Sequence, residues 1–263
     1  MRLAGPRRLD RRQRAISWPG ESDTIAPTPG ELDVRQLGLF AKYWEPGQVK
    51  TRLAESIGDQ AASRLHREFL ANLLATFQSF DARRILGYWP RDRRSEFAQL
   101  AGPSWNLRPQ TAGHLGARMR AYFADAAESG QQRTVLIGAD SPTLSTTMVQ
   151  DAFDQLNQHE VVIGPARDGG YYLIGCRGIV ADIFEEIDWG SDRVFEQTMR
   201  QLKSSGLSYA VLTEWYDIDR LDDLLALYQE LTQPLPGQAG NPNLVKTVGQ
   251  VVEELSIEDR SKS

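Results

Sequence analysis

The sequence predicts a single mixed α/β domain built on a mostly parallel sheet, and three observations carry that prediction. Apolar, β-branched runs of strand length alternate with amphipathic stretches of helix length between about residues 37 and 213, the pattern of parallel strands joined by helical crossovers. One of these runs, at 134–138, stops at Gly138-Ala139 with a single acid, Asp140, just beyond its end; open α/β sheets gather their ligands at the carboxyl ends of strands. The alternation breaks once. Glu160-Val-Val-Ile-Gly-Pro165 and Tyr171-Tyr-Leu-Ile-Gly175 are joined by Ala166-Arg167-Asp168-Gly169-Gly170, a hairpin signal that inserts one antiparallel pair.

Taken in order, residues 37–41 read as the first strand, followed by a Pro/Gly loop and a long helix near 59–78. Ala62, Leu65, Phe69, Leu73 and Phe77 recur along that helix at helical spacing. Residues 84–89 form a second strand, which Pro90 ends. A short helix at 94–100, a strand at 105–108 and a helix at 115–128 lead into the strand before Asp140. Pro142 turns the chain there, and Ser145 or Thr146 caps a helix over 145–157. After the hairpin come a helix at 192–205 and a strand at 208–213. Asp219 reads as the N-cap of a final helix, with Asp222 three residues on. The Pro/Gly-rich stretch 233–242 is a linker to a helix near 244–255. The domain itself therefore spans 36–232, with 1–35 ahead of it and the linker and helix of 233–263 behind.

Composition narrows the function classes. The chain has 263 residues, 41% hydrophobic and 25% charged, ordinary for a soluble globular protein, and its apolar runs are too short to span a membrane. Cys176 is the only cysteine; no intramolecular disulfide is possible, a reducing cytoplasm fits, and its apolar surroundings predict a buried, inert thiol. His66, His114 and His159 lack metal-ligand spacing, which argues against zinc. The first twenty residues carry six arginines against one acid, Asp10, so the net charge of −5 hides a more acidic body. An acidic body argues against nucleic acid as the main partner. With Pro19-Gly20, Pro27 and Pro29-Gly30 following, residues 1–35 read as a disordered basic extension.

The chemistry-bearing residues fall into four groups. Lys42 ends the first strand, and Pro46-Gly47-Gln-Val-Lys50-Thr-Arg52 follows it. A glycine turn exposes backbone N–H groups, and Lys50 and Arg52 add the charge that phosphate oxygens require. Asp140, a lone carboxylate at a strand end, suits a hard divalent cation that also holds substrate phosphates. Gln110-Thr-Ala-Gly113-His-Leu-Gly116-Ala-Arg118 places two glycines at a helix start, where a flat ring can approach the backbone and the Gln110 amide can read a base edge. Asp168 sits at the hairpin tip, whose second glycine suggests close approach of a ligand or another chain segment. Asp217, just past a strand end, can join Asp140 at a metal.

Phe40-Ala-Lys42 through Pro46-Gly-Gln-Val-Lys-Thr-Arg-Leu53, Gly138-Ala-Asp-Ser-Pro-Thr-Leu144, Gly164-Pro-Ala-Arg-Asp-Gly-Gly-Tyr-Tyr-Leu-Ile-Gly175 and Asp217-Ile-Asp219 together resemble the bacterial glycosyltransferase-A-like proteins. These are often labelled radical-SAM/selenodomain-associated transferases and are relatives of 2-phospholactate guanylyltransferase. The resemblance covers about residues 36–232. It implies the nucleotide-diphospho-sugar transferase fold with helices on both faces of the sheet, Asp140 as the metal-binding acid, Lys50 and Arg52 on the phosphates, and Gln110, Gly113 and Gly116 flanking the base. Trp44, His114 and Gly190 depart from the family's pattern.

Two reactions fit these residues. In nucleotidyl transfer an acceptor phosphate attacks a nucleoside triphosphate, and positioning and charge neutralisation by Mg²⁺ or Mn²⁺, Lys50 and Arg52 suffice. In glycosyl transfer a nucleotide-sugar is the donor, a small-molecule hydroxyl attacks, and Asp168 is the carboxylate that would take its proton. Two cations directly after the first strand favour the triphosphate. A protein that keeps the fold and binds nucleotide without turnover is a third reading. The composition of residues 1–35 cannot build a core, so a chain beginning at Gln36 should melt within a few degrees of the full-length chain; a large fall in melting temperature would show that the segment packs.

Overall fold

The computed structural model describes residues 35–178, 183–233 and 241–261; the basic extension and most of the expected 233–242 linker lie outside them. Seven strands form one sheet: β1 (Arg35–Lys42), β2 (Arg83–Trp89), β3 (Asn106–Pro109), β4 (Arg133–Ile137), β5 (Val161–Pro165), β6 (Tyr171–Arg177) and β7 (Tyr209–Val211). Their order is β3-β2-β1-β4-β6-β5-β7. The helices are α1 (Thr51–Ile57), α2 (Asp59–Thr76), α3 (Arg94–Ala101), α4 (Leu115–Glu128), α5 (Thr146–Gln155), α6 (Val194–Ser204), α7 (Leu221–Thr232) and α8 (Pro242–Ser261). No helix among the described residues is long and apolar enough to cross a membrane.

The strands are buried on both faces because helices cover both. Successive strand residues point to opposite sides. Val135 and Ile137 of β4 therefore pack with Leu70 and Leu73 of α2, Phe97 of α3 and Phe153 of α5, whereas Leu136 between them joins Met119 and Phe123 of α4 and Leu202 of α6. Double coverage explains why these strands read as continuous apolar runs rather than alternating ones. Cys176, buried in the second of these clusters, has its thiol pKa pushed up by burial, as an inert core residue should.

Several features depart from the sequence reading. The hairpin contributes two antiparallel pairings, not one: β6 is inserted between β4 and β5 and runs antiparallel to both, while β5 continues parallel to β7. Strand spacing along the chain shows that a hairpin exists but not which neighbour its second arm will take. The loop after β1 contains a short helix, α1, whose Leu53 is fully buried. Asp219 does not cap α7. Arg220 is its N-cap residue, and the Asp223 carboxylate accepts from the backbone N–H groups of Asp219 (3.1 Å) and Arg220 (2.8 Å), which leaves the Asp219 carboxylate free for other work. Ser145 is the cap of α5, accepting from Met148 N–H. The domain also begins one residue earlier than expected, since Arg35 opens β1 and is ion-paired to Asp81.

The C-terminal helix packs on the body. Leu244, Val248 and Val251 of α8 are buried with Leu65 and Phe69 of α2 and Leu224 and Leu227 of α7. The same cluster holds Leu53 of α1, so α8 braces the helices that carry one wall of the candidate site described below. Leu244→Ala should cost about 2–5 kcal/mol, the range for truncating a buried leucine, in a single cooperative denaturant transition; a loss well under about 1 kcal/mol would mean that α8 is only loosely attached.

Candidate active site

Strand order sets the place of the site. From β1 the chain proceeds outward to β2 and β3, then returns to lay β4 against the other side of β1. The reversal opens a crevice between the carboxyl ends of β1 and β4. The loop after β1 and the turn after β4 meet there.

The β1 loop turns at Gly47, whose φ is +75°, and Val49 anchors it in the interior. Lys50 follows in the left-handed region (φ 48°, ψ 42°) at the N-cap of α1, a conformation that side chains other than Gly, Asn and Asp seldom adopt. Its side chain is only 2% exposed, and Nζ lies 2.5 Å from Asp140 Oδ1 and 3.1 Å from Asp219 Oδ1. The Phe69 ring of α2 stands 5.9 Å from the ammonium. Arg52, half exposed, approaches the second Asp219 oxygen at 3.7 Å. The segment carrying Asp219 is docked directly on the β4 turn, because Ile218 N–H donates to the Asp140 carbonyl at 3.0 Å. Asp217, on the other side of Ile218, accepts from the Ser141 hydroxyl.

The electrostatics follow from this packing. Burial acts to lower the pKa of Lys50, but Asp140 and Asp219 outweigh it and hold the ammonium above its ordinary value. Burial likewise pushes the Asp140 carboxyl up, yet Lys50 keeps it below the usual carboxylate range. Asp217 has no such cation of its own. Burial first, and then the neighbouring Asp140 charge, push it up to about 7, the behaviour of two carboxylates that resist being charged together. His66 on α2 is held neutral chiefly by burial; its Nε2 faces the Lys42 carbonyl at 3.0 Å, and its buried Nδ1 has no protein partner.

A second group lies further along the same edge, where β2 and β3 end. Gln110 is buried, and its Nε2 donates to the carbonyls of Gly87 (2.7 Å) and Ala41 (3.2 Å), tying β2 to β1. The amide donors expected to read a base are thus committed to the backbone, while Oε1 accepts from Arg118 Nη1 at 3.4 Å. Arg118 also donates to the Gly113 carbonyl and lies over the Trp89 ring at 4.9 Å. Gly113 needs its φ of +114°. Gly116 has a different explanation from the expected one: a Cβ there would stand 2.7 Å from the Trp189 indole and 2.8 Å from the Phe184 carbonyl, so the flat ring it admits is the protein's own. His114 caps α4, its Nδ1 accepting from Ala117 N–H.

The hairpin tip forms the third wall. Ala166 bridges to Trp215, and Arg167 lies over Tyr216. Asp168 accepts from Gly170 N–H at 2.9 Å and helps raise the Asp217 pKa. Gly169, at φ +87°, is the glycine that is closely approached, since a Cβ would stand 2.0 Å from the Asp192 carbonyl. The approaching group is another chain segment.

The structure therefore gathers Lys50, Arg52, Asp140 and Asp217 at one point, with Lys42 and Asp168 at its margins, and sets Gln110, Gly113 and Arg118 apart at the β2–β3 end. Lys42 is tied to its own loop, Nζ donating to the Gln48 carbonyl at 2.7 Å. Sequence reasoning missed Asp219, the second partner of Lys50, and His66. The first could be found from Asp223, which has the spacing to cap α7 from within and so releases Asp219.

A family model described as "Uncharacterized protein conserved in bacteria (DUF2064)" matches residues 72–191, which include Asp140 and the hairpin tip. Among solved structures, a protein of Desulfovibrio desulfuricans G20 described as a "putative nucleotide-diphospho-sugar transferase" is 32% identical, with a TM-score of 0.77 over 85% of this chain and 99% of that one. A 4-diphosphocytidyl-2C-methyl-D-erythritol synthase from Anaerococcus prevotii DSM 20548 is 12% identical, with a TM-score of 0.54 over 76% of this chain and 97% of its own. A nucleotidyl transferase from Methanothermobacter is 14% identical, with a TM-score of 0.50 over 74% and 96%. At that identity these two share the fold. A comparison with curated proteins finds no match.

The Asp217 shift sets the sign of a pH effect. A carboxyl that titrates near 7 in the folded chain and near 3.9 unfolded keeps its proton longer in the folded state, so its contribution to stability falls as pH rises from about 4 to 7. In metal-free buffer, Asp217→Asn should raise the melting temperature at pH 8 and leave it nearly unchanged at pH 4; equal effects at both pH values would show that Asp217 is not held protonated.

Proposed function

This chain belongs to the bacterial DUF2064 family of nucleotide-diphospho-sugar-transferase-like proteins, and from that premise we propose that it is a divalent-metal-dependent nucleotidyltransferase. A phosphate oxygen of a small acceptor would attack the α-phosphorus of a nucleoside triphosphate, forming one P–O bond as the bond to the departing pyrophosphate breaks. The observation that carries the reading is the buried Lys50 ammonium set between Asp140 and Asp219 at the β1–β4 crevice, with Arg52 beside it. Cations at this place are what a polyphosphate requires, and the reaction asks for positioning and charge neutralisation rather than a strong base.

The donor set fits a hard cation. Asp140 is half exposed, and Asp217 is held above the usual carboxylate range by burial and then by the Asp140 charge. No set of three acidic, His or Cys ligands converges among the described residues, and Mg²⁺ is commonly held by one or two carboxylates together with substrate phosphates. Asp140 and Asp217 would hold Mg²⁺ or Mn²⁺, which when bound would neutralise phosphate charge. Lys50 and Arg52 would meet the β- and γ-phosphates and the leaving pyrophosphate. Lys42 and the Gly47 turn would line the same channel, with the base lying toward Gly113, Arg118 and Trp89.

A second reading, glycosyl transfer from a nucleotide-sugar, is favoured by Asp168, whose charge reaches Asp217 from the hairpin tip. There Asp168 would take the proton of an acceptor hydroxyl while Lys50 and Arg52 stabilise the leaving diphosphate. Asp168→Asn separates the two: it should reduce turnover in glycosyl transfer without changing donor affinity, and leave nucleotidyl transfer nearly unaffected.

Lys50 as placed is the counter-ion of Asp140, so a metal and the ammonium compete for one carboxylate. Lys50→Met should strengthen Mn²⁺ binding in the absence of nucleotide, read by electron paramagnetic resonance. The same change should weaken nucleoside triphosphate binding by about 1.5–3 kcal/mol, the value of a hydrogen bond to a charged group. Asp140→Asn should abolish binding of both. Unchanged Mn²⁺ and triphosphate affinity in either variant would remove this loop from the phosphate site.

A further inference from the structure

At the opposite end of β4 from Asp140, the register sets two arginines side by side. Arg133, the first residue of β4, is the cross-strand partner of Arg177, the last of β6. Like charges directly opposite on an antiparallel ladder are unfavourable, and a folded chain normally places a carboxylate between them. None lies within ion-pair distance of either guanidinium among the described residues, although the Glu160 carboxylate is near enough to Arg177 for their charges to interact. By contrast Arg35, the next residue in the same row on β1, is neutralised by Asp81.

Both arginines use one nitrogen on the same residue. Arg133 Nη1 donates to Asn157 Oδ1 at 2.7 Å, and Arg177 Nη1 donates to the Asn157 carbonyl at 3.0 Å. A guanidinium has five N–H donors in a fixed fork, so most of each fork is left over. They border a cavity of about 520 Å³, which Gln131 and Leu156 also line. Gln131 is buried, and its side-chain oxygen has no protein partner; such an acceptor costs about 1–3 kcal/mol when left unsatisfied. Two guanidinium forks without an ion pair thus border one space, beside a buried acceptor that has no protein partner, and that volume suits a small ligand.

We propose that this cavity binds a small phosphorylated molecule, its phosphate held between Arg133 and Arg177. Paired guanidinium forks match phosphate geometry. The site is separate from the β1–β4 crevice and independent of the reaction proposed for it. Its occupation would tie α5, through Asn157, to β4 and β6, the strands whose other ends carry Asp140 and the hairpin tip.

The test follows the backbone N–H signals of Gly130 and Gly178, which line the same cavity, by NMR of the full chain with selectively labelled glycine. Inorganic phosphate and glucose 1-phosphate are the probes. Both should shift these two signals saturably. Arg133→Gln and Arg177→Gln should each weaken the response at least about tenfold, the loss of a charge-assisted contact. In phosphate-free buffer Arg177→Gln should melt no lower than the parent chain, because it relieves repulsion. The proposal falls if the two glycines do not respond, if the arginine variants respond like the parent, or if Arg177→Gln lowers the melting temperature by several degrees, which would make the arginines helix caps only.

Discussion

The site depends on one ion pair, between Lys50 and Asp140. A lysine with 2% of its side chain exposed has lost nearly all its hydration, and an uncompensated buried ammonium would neutralise or unfold its surroundings. Asp140 and Asp219 compensate it from two different segments of chain, which locks the turn after β4 to the segment before α7. The left-handed backbone at Lys50 follows from the same constraint, since the residue must both begin α1 and turn its side chain inward. Asp217 takes the remaining consequence. Lys50 satisfies two acids, and the third is left with a raised pKa.

That arrangement is stable but internally occupied, and this gives it chemical use. The ammonium is bound to one carboxylate, and in the proposed reaction metal and phosphate would act through the same group, so adding either would redistribute charge among groups already in contact. On the reading proposed above, a polyphosphate would offer Lys50 an alternative partner, and Asp140, released from it, would become a stronger ligand for a divalent cation. Binding of the two would then be mutually supportive without movement of the sheet. The buried His66, neutral and hydrogen-bonded to the end of β1, adds no competing positive charge behind the pair.

Much of this was legible in the sequence because it follows from local patterns. The alternation of strands and helices, the acid after a buried strand and the two cations after the first strand are each readable within about ten residues, and the sheet order brings them together as open α/β sheets do. What was not legible depends on long-range choice. The position of β6 between β4 and β5 is decided by which strand edge its apolar residues can cover. Asp219 looked like a helix cap because its spacing allows that role, and only the presence of Asp223 three residues after Arg220 assigns the cap elsewhere. Gln110 has the right chemistry to read a base, but its amide donors are taken by the carbonyls of β1 and β2. Sequence patterns alone do not show which polar groups the fold has already used.

The glycines make the same point and lead to a last step. Gly116 and Gly169 occur in the segments that resemble a nucleotide-binding family, where small residues suggest room for a ligand. In both cases the room is filled from within: Trp189 and Phe184 press on Gly116, and Asp192 on Gly169. The segment from 184 to 192 therefore reaches two walls of the candidate site, the start of α4 and the hairpin tip. It is fixed at each by a contact that no side chain larger than hydrogen could permit. Phe195 N–H donating to the Gly169 carbonyl at 2.8 Å completes the second attachment. These glycines shape the site by admitting a clasp of the protein's own chain, which holds the hairpin tip, and with it Asp168, at the site's margin.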